Sequence, residues 1–191
     1  MEPVWLKKRR EEAAKEFARL PIPSQEEFWR RTNLSRIKFD SFTPIATVLN
    51  GAVAGDAARR LPITITVSGE LLYGEKISPA TLEADCKTKG VILSSLSDAL
   101  QDHPDLVQKY LGKGFEGRHE KFLAQNEAFW QTGAFLYVPQ NTKVELPILF
   151  ASHFSGENKS AAPRLLIILD KGAQATVVHY ASSETKEANY L

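Results

Sequence analysis

Cysteine and methionine are almost missing from this chain, which has one of each, Cys86 and Met1. A lone cysteine excludes an internal disulfide framework and fits a reducing, cytosol-like compartment. With no C-x-x-C pair and only four histidines, no structural zinc spacing is present. Long apolar runs are missing too, and nothing approaches the roughly 20 residues of a membrane helix. The opening is too rich in charge for a secretory signal, with Lys7, Lys8, Arg9, Arg10, Glu11 and Glu12 in succession. The expected location is therefore cytoplasmic. Charge of one sign is also scarce: 24 Lys plus Arg face 23 Asp plus Glu, for a net +1. Such a balance gives no global field to gather nucleic acid or an acidic membrane. G-x-S-x-G, the P-loop and any Ser/His/Asp arrangement are absent. Asn33-Leu34-Ser35 and Asn158-Lys159-Ser160 match glycosylation sequons, and without a signal peptide both are read as chance.

What is present is a core-forming composition, 43% hydrophobic over 191 residues, enough for one or at most two domains. Thr132 to Phe150 and its echo Arg164 to Tyr180 organise it. In the first stretch Ala134, Leu136 and Val138 fall on one face, and Phe135 and Tyr137 on the other. After a break at Pro139-Gln140-Asn141, Val144, Leu146, Ile148 and Phe150 are expected to share a face. RLLIILD follows, closed by an Asp170-Lys171-Gly172 turn, and ATVVHY alternates again. Short strands rich in Val, Ile, Leu and aromatics, punctuated by turns, predict stacked β structure, either solenoid coils or a sandwich. The preceding residues read as a helical and mixed prelude packed on the end of that stack, with a small α/β subdomain inside it, giving an α+β chain divided into 1–131 and 132–191.

Within the prelude, Trp5 to Leu20 reads as an amphipathic helix with Leu6, Ala13, Phe17 and Leu20 on one face, and Glu11 and Lys15 paired on the other. Pro21 and Pro23 stop it. Ser24 and Glu27 form a capping box for a second helix anchored by Phe28 and Trp29. The basic WLKKRR could lie on a membrane, but interleaved acids make a solvated face the better reading. Leu34 to Gly55 is loop-like, with a mobile stretch at Gly51 to Ala58. Leu61 to Val67 alternates as a strand, and Ser68-Gly69-Glu70 turns it toward Leu71 to Tyr73. A short helix at Glu83 to Cys86 and a strand at Val91 to Leu93 follow. Ser97 caps a helix at Asp98 to Gln101, His103-Pro104 breaks it, and Asp105 to Leu111 adds a turn or two. Arg118 to Gln131 is a helix with Phe122 and Phe129 seven apart and Ala124 and Ala128 four apart, and Gly133 launches the first strand.

The chemical candidates are weak. Gly112-Lys113-Gly114-Phe115-Glu116-Gly117 fits G-x-G-x-x-G, but the dinucleotide site needs a strand before it, and Leu106 to Leu111 reads as helix. His119-Glu120 starts a zincin-like motif, yet position 123 is Leu, not His. His103, His153 and His179 are scattered. Cys86 beside Asp85 sits in an acidic setting that raises a thiol pKa. No catalytic residue and no metal ligand is assigned, and no cofactor-binding residue can be named. The residues by themselves give a non-catalytic β stack with a helical start.

Four stretches resemble a known family. The opening WLKKRREEAAKEFARLPIPSQEEFWRRTNLSRI, the segment GVILSSLSDAL, the run FLAQNEAFWQTGAFLYVPQNTKVELPI with its V-P-x-x-x-x-V-E-x-P-I signature at Val138 to Ile148, and PRLLIILDKGAQATVVHY are similar to the SufB/SufD family of iron–sulfur cluster assembly scaffolds. The opening is closest to the SufD branch. The resemblance implies a helical N-terminal domain followed by a right-handed parallel β-helix, a non-enzymatic role, and work in a SufBCD complex beside SufB-like and SufC-like subunits. It also implies an iron–sulfur cluster, and reduced flavin, at the level of that complex. Family members of this kind are implicated in iron acquisition. The family's cluster-linked Cys and His positions and its SufC-binding helices lie beyond the equivalent of Leu191, so no functional residue carries over. The length implies a truncated chain, a proteolytic fragment or a short homologue.

An unfinished stack has a consequence. A coil buries its open face only against the next coil. The strands at Leu165 to Leu169 and Thr176 to Tyr180 are expected to pair between two copies, to reorganise, or to be covered by Glu184 to Leu191. Two rival readings remain. A carbohydrate-binding solenoid needs an aromatic ladder, and Tyr137 and Tyr180 are too few. A solenoid acyltransferase needs a hexapeptide repeat, and none is found.

Overall fold

A computed structural model of the chain describes residues 2–23, 27, 29–44, 49–50, 65–74, 76–115, 120–154, 158–183 and 189–190. Three groups of strands alternate with helices along the chain. Helix α1 (Val4–Arg19) opens it, and two 3-10 turns, Leu34–Arg36 and Phe39–Ser41, lead to the short strands β1 (Thr43–Pro44) and β2 (Leu49–Asn50). Next come β3 (Gly69–Gly74), β4 (Lys76–Ile77), β5 (Thr81–Leu82), α2 (Ala84–Thr88) and β6 (Ile92–Ser95). Helices α3 (Leu96–Asp102), α4 (Pro104–Tyr110) and α5 (Lys121–Phe129) separate these from β7 (Gly133–Val138). The chain then runs through β8 (Ile148–Phe154), β9 (Lys159–Ser160), β10 (Arg164–Leu169), β11 (Val177–Ser183) and β12 (Asn189–Tyr190).

The second half repeats itself in space. Strand β10 lies parallel on β7 with Arg164 beside Gly133, β11 lies parallel on β8 with Val177 beside Ile148, and β12 lies parallel on β9 with Asn189 beside Lys159. A bridge between Lys143 and Gln174 keeps the same step between them. Each turn of chain therefore spans about 30 residues, within the range of solenoid repeats. The corners repeat as well. Asn141 and Gly172 both adopt positive φ, at 56° and 74°, and the Asn141 amide donates to the Lys171 carbonyl at 3.0 Å. Among the described residues no sheet closes into a barrel.

The prelude corrects the expectation of helices packed on the end of the stack. The first half contributes a strand to each of the three sheets: β6 antiparallel to β7, β3 parallel to β8, and β1 parallel to β9. Strands finish that end, and helices α3 and α4 lie against the flank made by β7 and β10. Terminal repeats of a solenoid are atypical because they must pair on one side and meet solvent on the other. Of the predicted turn at Ser68-Gly69-Glu70, Gly69 and Glu70 instead open β3. The strand expected at Leu61 to Val67 lies partly outside the described residues, and 65–67 form no strand.

The period-two reading of β7 describes its packing. Ala134, Leu136 and Val138 enter an inner core with Leu71, Tyr73, Val144, Ile148 and Phe150. Phe135 enters a second cluster with Leu6, Leu96, Val107, Leu111 and Trp130, and Tyr137 packs against it. Both faces of this strand are thus covered. Leu146 departs from its expected face and is 36% exposed, because it sits in a bend between β7 and β8 that breaks the alternation.

Helix boundaries follow local chemistry. Helix α1 ends before Pro21, and of its expected face only Leu6 is fully buried; its i, i+4 ion pair joins Lys8 to Glu12, not Glu11 to Lys15. Ser95, not Ser97, caps α3, its hydroxyl accepting from the Asp98 amide at 3.0 Å. Pro104 opens α4 at a position where its missing N–H costs nothing. Glu120 caps α5 by accepting from the Phe122 and Leu123 amides, so that helix begins later than Arg118. The predicted capping box at Ser24, the anchor Phe28, and the Gly51 to Ala58 stretch lie outside the described residues, and 29–32 form a turn. Trp29 packs on Phe122 with the rings tilted, 5.0 Å between centroids.

Candidate functional site

The inner core of the stack reaches solvent at its second coil. Strands β10, β11 and β12 each stand at the edge of their sheet among the described residues. Ile167 and Leu169 occupy the register positions of the buried Leu136 and Val138, yet are 38% and 47% exposed. Their side chains point inward, and among the described residues no further rung lies above them. His179 sits beside Phe150 in register, and it too faces this interior.

His179 has a specific partner. Tyr73 Oη and His179 Nε2 are hydrogen-bonded at 2.8 Å, with the rings stacked at 6.3 Å between centroids. Burial pushes the Tyr73 phenol up to about 12, partly offset by a hydrogen bond with Ser152. Burial also lowers the His179 imidazole. Both effects have one cause: the stack interior penalises whichever form carries charge. A protonated phenol and a neutral imidazole satisfy one another there. On the opposite side of the strand, His153 Nδ1 meets the Ser182 hydroxyl at 3.0 Å, which in turn donates to the Ser152 carbonyl at 3.1 Å.

The other sequence candidates fall apart spatially. His103 joins α3 to α4 and stacks on Phe135 at 6.4 Å. Gly112 follows a helix, as expected, and has φ of 79°. A Cβ there would overlap the Arg9 guanidinium, which donates to the Leu111 carbonyl at 2.7 Å. Glu116, Gly117 and His119 lie outside the described residues. Cys86 is 3% exposed in the inner core, and burial raises its thiol first, with Glu83 and Asp85 adding to the shift against a hydrogen bond from Ser68. Among the described residues no three His, Cys, Asp or Glu side chains converge to hold a metal. Among the described residues no helix is long and apolar enough to cross a membrane.

Sequence reasoning missed a polar junction between α1 and the stack. Glu127 forms ion pairs with both Arg9 and Arg164, and Arg164 is only 6% exposed. Arg10 stacks over the Trp130 ring at 4.1 Å, and Lys121 Nζ donates to the Phe17 and Leu20 carbonyls that end α1. The available signal was an acid on the buried face of α5, one position before Ala128, and an arginine leading an otherwise apolar strand.

Comparison with known proteins bears on the whole assembly. The model of the SufBD protein N-terminal region matches residues 2–150. An iron–sulfur cluster assembly SufBD family protein of Staphylococcus aureus strain USA300 is 28% identical over 198 residues, covering 96% of this chain and 41% of its own length. Its counterpart in strain MRSA252 is 28% identical over 193 residues, 94% of this chain and 40% of that protein. A SufBD family protein of Mycobacterium bovis is 29% identical over 194 residues, 94% of this chain and 22% of that protein. The chain spans less than half the length of these relatives. With most of its length matched by the family's N-terminal region, the chain belongs to the SufBD family of iron–sulfur cluster assembly proteins.

Proposed function

We propose that this chain is the N-terminal part of a SufD-like, non-catalytic scaffold subunit, and that its strand stack begins a right-handed parallel β-helix. The observation that carries the reading is the threefold repetition of parallel pairing, β7 with β10, β8 with β11 and β9 with β12, in a chain of this family. A stack with one finished end and one open end is built to be continued by more chain or met by a neighbour. The scaffold acts in the cytoplasm in a SufBCD-type complex, with SufB-like and SufC-like subunits as partners. Clusters, and any reduced flavin, belong to the assembled complex and not to this segment. The carbohydrate-binding alternative needs exposed aromatics along the coils, whereas the exposed large hydrophobic side chains there, among the described residues, are the aliphatic Leu146, Ile167 and Leu169.

Co-expression of the natural full-length protein with SufB-like and SufC-like subunits tests this. The three are expected to co-purify, and residues 1–191 alone are expected to retain neither partner. A full-length protein that binds neither subunit overturns the scaffold reading.

A further inference from the structure

We propose that the open face of the second coil receives a third rung of mixed chemistry, aliphatic over Ile167 and Leu169 and hydrogen-bonding over His179. The occupant is the next coil of the natural chain. The inference therefore rests on the stacked reading above and adds what that coil must carry. The matched relatives are more than twice as long as this chain, so length for further coils is at hand.

Register places Leu71 on β3, Phe150 on β8 and His179 on β11 in one interior column. The first two are fully buried. His179 is the polar member, and it stands exposed on the outermost rung among the described residues. Ile167 and Leu169 follow the buried Leu136 and Val138 in the same way. One more rung with the same parallel step buries all three.

An imidazole has two nitrogens, and buried polar atoms are ordinarily hydrogen-bonded. Nε2 is taken by Tyr73 Oη at 2.8 Å, and among the described residues Nδ1 makes no hydrogen bond. Burial already lowers the imidazole, so the covered ring stays neutral. A purely apolar rung would leave Nδ1 orphaned, at a cost of roughly tenfold or more in the folding equilibrium. A hydroxyl or amide side chain above the ring supplies the partner without burying a charge.

The test compares urea unfolding of the natural full-length protein with that of the 191-residue chain, at concentrations where the shorter chain is monomeric. Ile167→Lys reads whether the face is covered. It should lower the midpoint of the full-length protein and leave the shorter chain near its parent. His179→Leu reads what covers it. The substitution severs the Tyr73 bond in either protein, and in the full-length one it also strands the group above. Its effect on the unfolding equilibrium should be about tenfold larger there. Under an apolar rung the leucine would pack, and the full-length protein would lose less than the shorter chain. His179→Gln keeps an amide for Tyr73 and guards against a variant that does not fold: it should be mild in the shorter chain and costlier in the longer. An equal or smaller loss from H179L and H179Q in the full-length protein, with I167K harmful there, overturns the polar rung and leaves the stack standing. Ile167→Lys tolerated equally in both overturns the cover itself, and the stacked reading with it.

Discussion

Tyr73 and His179 are 106 positions apart in sequence and 2.8 Å apart in the fold, Oη to Nε2. Tyr73 stands on β3 and His179 on β11, and both strands pair with β8 from its two sides. The bond therefore passes across the interior of the stack and clips the finished end to the open coil. It is a direct measure of whether both are in place.

That contact makes stability depend on pH. Burial holds the His179 pKa below its usual 6.5, so the unfolded chain takes up the proton first. Its contribution is fully present above about pH 6.5 and is lost as pH falls through the folded value. Tyr73, pushed up to about 12, acts in the opposite sense: its contribution is present below about pH 10 and is lost as pH rises through the folded value. Urea midpoints should hold level from pH 7 to 9 and drop below pH 6.5, and H179Q should flatten part of that drop. Parallel profiles for the two proteins down to pH 5 would remove His179 from the account.

Coil spacing can be probed with a single methyl group. A Cβ at Gly133 would overlap the Arg164 carbonyl oxygen of the adjacent strand, whereas one at Gly114 would meet nothing within 4 Å. Gly133→Ala is expected to cost about 1–3 kcal/mol as overpacking. Gly114→Ala should lie within about 0.5 kcal/mol of the parent. Equal denaturant midpoints for the two variants would contradict the tight pairing of β7 with β10.

One carboxylate ties α1 to the stack. Glu127 pairs with Arg9 and with the buried Arg164, so Glu127→Gln takes from both cations the carboxylate they share. The expected loss is about 3 kcal/mol. Hydrogen exchange should report it first in α1, which packs mainly on α5. Protection of α1 that matches the parent would show that the ion pairs are dispensable.

Interior and bend positions should separate sharply. Phe150 is fully buried in the inner core, and Phe150→Ala is expected to cost about 3–5 kcal/mol. Leu146, 36% exposed in the bend, should tolerate alanine within about 0.5 kcal/mol. Thermal unfolding of both variants distinguishes these cases.

The open coil predicts association. Ile167 and Leu169 present aliphatic surface at the edge of their sheet, and such edges pair with other chains unless covered. Light scattering of the 191-residue chain should show a concentration-dependent rise in mass that Ile167→Lys with Leu169→Lys suppresses. A monomer at every concentration would mean that this edge is covered. Of the residues named for that cover, Glu184 to Ala188 and Leu191 lie outside the described ones, and Asn189–Tyr190 pairs with β9.

Much of the local structure was legible. The alternation in GAFLYV separated Ala134, Leu136 and Val138 from Phe135 and Tyr137 because a strand sends successive side chains to opposite faces. Pro21 and Pro104 marked helix boundaries because proline lacks an amide donor. Two local choices went astray for local reasons. Ser95 and Ser97 are both competent caps, and only the chain direction leaving β6 selects the first. Leu146 matched the apolar pattern, but a bend reset the phase.

By itself the sequence determined that strands would form, where their apolar faces lie, and to which family the chain is similar. Those properties depend on residues within a few positions of one another. Only the tertiary structure decided that β1, β3 and β6 complete one end of the stack, that Tyr73 meets His179, and that Glu127 joins two arginines. Backbone hydrogen bonds are the same for any pair of strands, so they carry no address. The choice of partner is made by side chains packing across long stretches of chain, and that information is not written in any one of them.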